Sequence, residues 1–163
     1  MATEEQRDVS RLWSSISTTN AWGQKLTISN RTVSKLSFYL RRTGTVTGSV
    51  KFWIRKVSDD SILLQQNWGL GSTISTTPAW YEITFTGILI NEEVYILVGE
   101  GNISNTPSNL IHVYDSDGNV KAGENMVRRS NNVYSDYPAG SDFGYKYTYG
   151  APVVVGYSQA HII

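Results

Sequence analysis

Two segments that alternate apolar with polar residues constrain the chain more than anything else in it. In Val33 to Arg42, Leu36, Phe38 and Leu40 alternate with Lys35, Ser37, Tyr39 and Arg41. In Ser49 to Val57, Val50, Phe52 and Ile54 alternate with Lys51, Trp53 and Arg55. A period of two means a strand with one buried and one exposed face. Between them, Thr43 to Gly48 supplies two glycines, so the spacing predicts a hairpin in which these strands pair directly. Further strands are expected at Ile62 to Gln66, Trp80 to Thr86, Val94 to Val98, Leu110 to Tyr114 and Phe143 to Tyr149. Turn residues separate them, at Gly69 to Gly71, Asn91 to Glu93, Asn102 to Asn109 and Asp115 to Asn119. Short strands with no ten-residue helical pattern predict an all-β, mostly antiparallel two-sheet β-sandwich or barrel.

At 163 residues the chain suits one domain with a real core. Residues 1–23 read as an N-terminal lead-in, mobile or helical at first, that Leu12, Trp13 and Ile16 anchor onto the body. Residues 24–150 form the β domain, and 151–163 an apolar C-terminal extension with Val153 to Val155, Ile162 and Ile163. Such a tail is a candidate device for homo-oligomer formation. The polar stretch 123–142 is too long for a structureless loop in a compact domain, which predicts a short strand near Met126 to Arg129 or around Tyr134.

Charge and composition narrow the partners. Formal net charge is zero, and Arg41-Arg42 and Arg128-Arg129 are too short as clusters to hold a phosphate backbone, so no nucleic acid is expected. No stretch is apolar for the roughly 20 residues a membrane span needs. The first residues, Met1 to Asp8, lack the apolar core of a signal peptide. Without cysteine there is no disulfide and no thiolate metal site.

Catalytic patterns are missing as well. His112 lies between Ile111 and Val113 and reads as a strand histidine with a satisfied ring; His161 has no partner in sequence. No nucleophile elbow, zinc helix or phosphate loop is present. The acids, among them Glu82, Glu100, Glu124 and Asp142, fall mostly in turns or at exposed strand positions, so no enzyme is expected. Asp115-Ser116-Asp117-Gly118-Asn119 resembles the start of a calcium loop, but Met126 stands where an EF-hand needs its bidentate Glu. The plain reading is a turn; Asp115 and Asp117 are the candidate ligands for a structural calcium, and no other cofactor is indicated.

Aromatic residues reach 12%, more than a core of this size requires. In the predicted hairpin register Tyr39 lies opposite Trp53 on the outer face, with Arg41, Lys51 and Arg55 beside them. Exposed rings flanked by basic groups suit a sugar, whose C–H face stacks on an indole while Arg or Lys donates to its oxygens. Tyr134, Asp136 and Tyr137 in the 123–142 stretch form a second candidate rim.

The segments Val33 to Gly44, Thr47 to Arg55, Ala79 to Phe85, Val94 to Val98 and Asp142 to Gly150, in that order and spacing, resemble a large family of jelly-roll domains. Such domains accompany secreted bacterial proteins and the surface proteins of phages and viruses. The resemblance covers roughly residues 25 to 150. It implies a jelly-roll architecture like that of carbohydrate-binding modules, a glycan or polysaccharide partner, and an extracellular or virion-surface location. The alternative expectation is a structural or receptor-binding subunit of a virion, tail fibre or extracellular filament.

Overall fold

The computed structural model describes residues 1–99, 101–104, 106–118, 120–137 and 141–151. Glu100, Asn119, His161 and almost all of the apolar extension lie outside them. The fold is all-β and antiparallel, and its sheet is not closed. Among the described residues ten strands run in chain order: β1 (Ala2–Gln6), β2 (Arg11–Ile16), β3 (Asn20–Thr43), β4 (Ser49–Lys56), β5 (Ile62–Leu70), β6 (Ala79–Gly99), β7 (Leu110–Asp115), β8 (Asn125–Ser130), β9 (Val133–Tyr137) and β10 (Tyr145–Gly150).

A long ribbon organises everything else. The 24-residue β3 and the 21-residue β6 pair along nearly their whole length, from Ala21 opposite Gly99 to Leu40 opposite Ala79. The register slips between Ile28 and Arg31, where Asn30 adopts a left-handed φ of 52° and its N–H donates to Asn91 Oδ1 at 3.0 Å. This irregularity divides the ribbon into two halves. In the first, β8 and then β9 add beyond β3, while β4 and then β5 add beyond β6. In the second, β10 pairs with β3 and β1 with β10; further along, β7 pairs with the end of β3 and β2 with β7.

The core lies where the halves meet. Phe38 of β3 is edge-on to Phe52 of β4 at 4.9 Å and to Phe143 at 5.6 Å, and all three are fully buried. Leu26, Ile28, Leu36, Leu40, Ile54, Ile96 and Tyr145 complete the same cluster. The predicted alternation places Leu36, Phe38, Leu40, Val50, Phe52 and Ile54 inward, as they are found.

Several expectations are corrected. The strands β3 and β4 do not pair, because β6 lies between them in the first half, so Thr43 to Gly48 is a connection and not a hairpin. Gly44 and Gly48 have φ of 67° and 89°, and Asn109 and Asn102 accept the N–H groups of Thr45 and Ser49. The polar run Asn91 to Glu93 does not end a strand; β6 passes straight through it. The lead-in is neither helical nor loose, since β1 and β2 are paired strands and β3 begins ahead of residue 24. The stretch 123–142 holds both expected strands, β8 and β9, joined at Asn131 and Asn132, whose φ values of 49° and 66° make a tight hairpin turn.

Candidate functional site

The predicted binding residues fall on different surfaces. Tyr39 and Trp53 do not face one another: Tyr39 is opposite Trp80, while Trp53 is opposite Leu97 in the other half of the ribbon. The inferred pairing failed because it assumed the β3–β4 hairpin. Tyr134 and Tyr137, three positions apart in one strand, point to opposite sides. Tyr137 packs with Trp13 and Trp22 at 5.7 and 5.3 Å, whereas Tyr134 stacks on Tyr95.

Four of the named residues meet on the outer face of the first half. Trp53, Tyr95, Leu97, Val127 and Ala21 form a small second core, with Tyr134 lying parallel over Tyr95 at 4.0 Å. The Trp53 indole donates to the Gly99 carbonyl, and the Arg55 guanidinium sits 5.3 Å from its ring. Arg55 grips both carboxylate oxygens of Asp60, at 2.7 and 2.9 Å, and the Tyr134 hydroxyl donates to the same carboxylate at 2.6 Å. Burial, that hydrogen bond and the Asp60 charge all push the Tyr134 phenol upward. Arg129 also pairs with Asp60, and Asp136 pairs with Lys25. These polar groups already satisfy one another.

The outer face of the second half is arranged differently. Tyr39 touches Trp80 at 5.2 Å and Tyr114 at 5.3 Å, so three aromatic rings from β6, β3 and β7 lie side by side across the sheet. Tyr39 and Trp80 are half-buried and Tyr114 is buried. The Lys146 ammonium rests 4.0 Å from the centre of the Trp80 ring. Burial lowers the Lys146 pKa, and nearby Arg7 adds to that. Arg41, two residues beyond Tyr39, is opposite His112. Its Nε is buried without an acceptor, and no carboxylate pairs with its guanidinium among the described residues. His112 keeps its ring satisfied, as expected, by a 2.9 Å hydrogen bond with Thr43 Oγ1. Burial, and then the Arg41 charge, hold its pKa below the ordinary histidine value.

Trp80, Tyr114 and Lys146 were not among the residues expected to bind. Their strands were expected, and alternation alone puts Trp80 on the side of Glu82, but only the pairing order brings them to Tyr39.

The acidic groups take structural roles. Arg11, opposite Asp115 on β2, binds its two oxygens at 3.0 and 2.5 Å and reaches Asp117 at 3.3 Å. A calcium ion at Asp115 and Asp117 would have to displace that guanidinium. Asp142 is fully buried rather than exposed: it accepts from Gln24 Nε2 at 2.7 Å and from the N–H groups of Val120 and Lys121 at 2.6 Å each. Glu124 is largely enclosed too; burial raises its pKa although the Tyr145 hydroxyl donates to it at 2.7 Å. Glu82 alone remains at an exposed strand position, paired with Lys35 at 2.8 Å. No group of three or more metal-ligating side chains occurs among the described residues. No protein-family model matches the chain, and no curated protein matches it in sequence.

Proposed function

We propose that this chain is a non-catalytic, lectin-like glycan-binding module of jelly-roll type, working outside the cell or on a virion surface, and that its ligand lies on the Tyr39–Trp80–Tyr114 face. The observation that carries the reading is the contrast between the two outer faces. On the Trp53 face Arg55 and Arg129 pair with Asp60 and Lys25 pairs with Asp136, while Lys51, 5.5 Å from the Trp53 ring, has no carboxylate partner among the described residues. On the Tyr39 face, three adjacent rings are edged by Lys146 and by Arg41, which has no carboxylate partner among the described residues. Stacked aromatics give a sugar its apolar platform, and free cationic donors give it orientation. Lys146 covers Trp80 only through a surface cation–π contact of about 0.5–1 kcal/mol, so a ligand ring can displace it.

A glycan array probed with the wild type and with Trp80→Ala tests this. Binding to a defined set of glycans by the wild type, lost in Trp80→Ala while Trp53→Phe retains it, is expected. Identical profiles for wild type and Trp80→Ala would contradict it.

A second reading, a structural or receptor-binding subunit, draws on the open edges. Among the described residues β5 and β9 each pair on one side only, and Ile62, Leu70 and Val133 on them are 49%, 58% and 64% exposed. Unprotected apolar edges invite pairing with another chain. Light scattering over a range of concentrations separates the two: a stable monomer supports the free module, and a trimer or open-ended series supports assembly.

A further inference from the structure

The charges on the Tyr39 face do not balance. Residues directly opposite one another in neighbouring strands share a face. Glu5 is opposite Lys146, Lys146 opposite Ser37, and Ser37 opposite Glu82; Lys35 and Arg41 lie on β3 in the same alternation. Arg7 adjoins Lys146. The two carboxylates registered here are both engaged, Glu5 with Arg7 at 3.5 Å and Glu82 with Lys35 at 2.8 Å. Lys146 and Arg41 remain, one at each side of the aromatic row. In a chain whose formal net charge is zero, this surface is therefore locally cationic.

The two cations differ in kind. Lys146 is held over an indole ring, a position from which a flexible ammonium moves freely. Arg41 lies opposite His112 and its charge acts on the Tyr114 phenol, and its Nε is buried with nothing to accept its hydrogen. An oxyanion arriving at the terminal nitrogens of Arg41, which pair with no carboxylate among the described residues, would neutralise the guanidinium. Guanidinium forks match carboxylates in geometry, and a charge-assisted hydrogen bond is roughly twice as strong as a neutral one.

We propose that the Tyr39–Trp80–Tyr114 face selects glycans that carry carboxylate groups, with Arg41 binding the carboxylate while the aromatic row holds the sugar ring beside it. This rests on the glycan-binding reading and adds a substrate class to it. Lys146 supplies a second, less selective positive charge on the far side of the row.

Calorimetric titration with a short oligogalacturonate and with its fully methyl-esterified form tests the proposal, because the two differ only at the carboxyl group, charged in one and a neutral ester in the other. A second pair, sialyllactose and lactose, extends it to a different acidic sugar. The wild type is expected to prefer the acidic member of at least one pair by about tenfold or more, the ratio one charge-assisted bond supplies. The preference shrinks at high salt. Arg41→Gln removes the preference by lowering the affinity for the acidic member far more than that for the neutral one; Trp80→Ala weakens both by a similar factor. Should Arg41→Gln not fold, Arg41→Lys keeps the charge without the fork and is expected to keep only part of the preference. Equal affinity for acidic and neutral members of both pairs overturns the proposal alone. Binding of neither member of either pair, by a protein that a broad glycan array also finds silent, overturns the glycan reading together with it.

Discussion

Asp60 ties together three side chains on the Trp53 face, Arg55, Tyr134 and Arg129. Burial works against its charge, but Arg55, the Tyr134 hydroxyl and Arg129 outweigh that and hold its carboxyl below the ordinary aspartate range. Asp60→Ala is expected to lower stability by about 1–3 kcal/mol, because Arg55 and Tyr134 lose their acceptor. The loss falls toward the lower end, since Asp60 is partly solvent-screened. A urea denaturation midpoint unchanged from wild type would contradict it. His112 makes a prediction of the opposite sense at low pH. Its folded pKa lies below the unfolded value of about 6.5, so the folded state resists a proton that the unfolded chain accepts. Its contribution to stability is therefore complete above pH 6.5 and is lost as pH falls through that value toward the folded pKa. Thermal melts from pH 7.5 to pH 5 should show the wild type losing stability relative to His112→Gln; a gap that widens in the wild type's favour on acidification would be the wrong sign.

Among the elements, the β8–β9 hairpin shows what local sequence can and cannot specify. Its turn needs two consecutive left-handed residues, and Asn131 and Asn132 supply them. Asn131→Val should cost about 1–2 kcal/mol, the penalty of a bulky residue in that conformation, whereas Asn131→Gly should change little. Equal stability of the two variants would show that the turn is not constrained. The inward positions of β3 and β4 were legible because alternation is a property of each strand by itself. Partner choice was not: two glycines between alternating segments look the same whether the chain turns back or crosses past a neighbouring strand. Tyr39 was accordingly read as a site residue and given the wrong neighbour. The continuity of β6 through Asn91, Glu92 and Glu93 was equally hidden, because polar residues at the ribbon's irregularity imitate a turn. Trp80 and Tyr114 became site candidates only once β6, β3 and β7 were placed side by side.

Across the whole molecule, buried polar groups fasten the edges of the β structure to its centre. Gln24 on β3 joins Asp142, and Phe143 donates its N–H to Gln24 Oε1 at 2.8 Å. Arg11 fastens β2 to β7 through the fully buried Asp115. Removing Arg11 leaves the buried Asp115 charge uncompensated, and because Arg11 itself is about a third exposed, Arg11→Met is expected to cost about 2–3 kcal/mol, less than for a fully buried pair. Since Arg11 already supplies the positive charge, calcium should leave the wild-type melting temperature unchanged; a calcium-dependent rise would show that the ion displaces it. These fastenings keep the two outer faces in place, one closed by its own ion pairs and the other left cationic and aromatic. The five tryptophan indole N–H signals report on that difference directly in a ¹H–¹⁵N NMR titration with oligogalacturonate. The Trp80 signal is predicted to shift in step with saturation while Trp53, bonded to the Gly99 carbonyl, stays in place. Movement of Trp53 with Trp80 unperturbed would put the ligand on the other face and contradict the assignment.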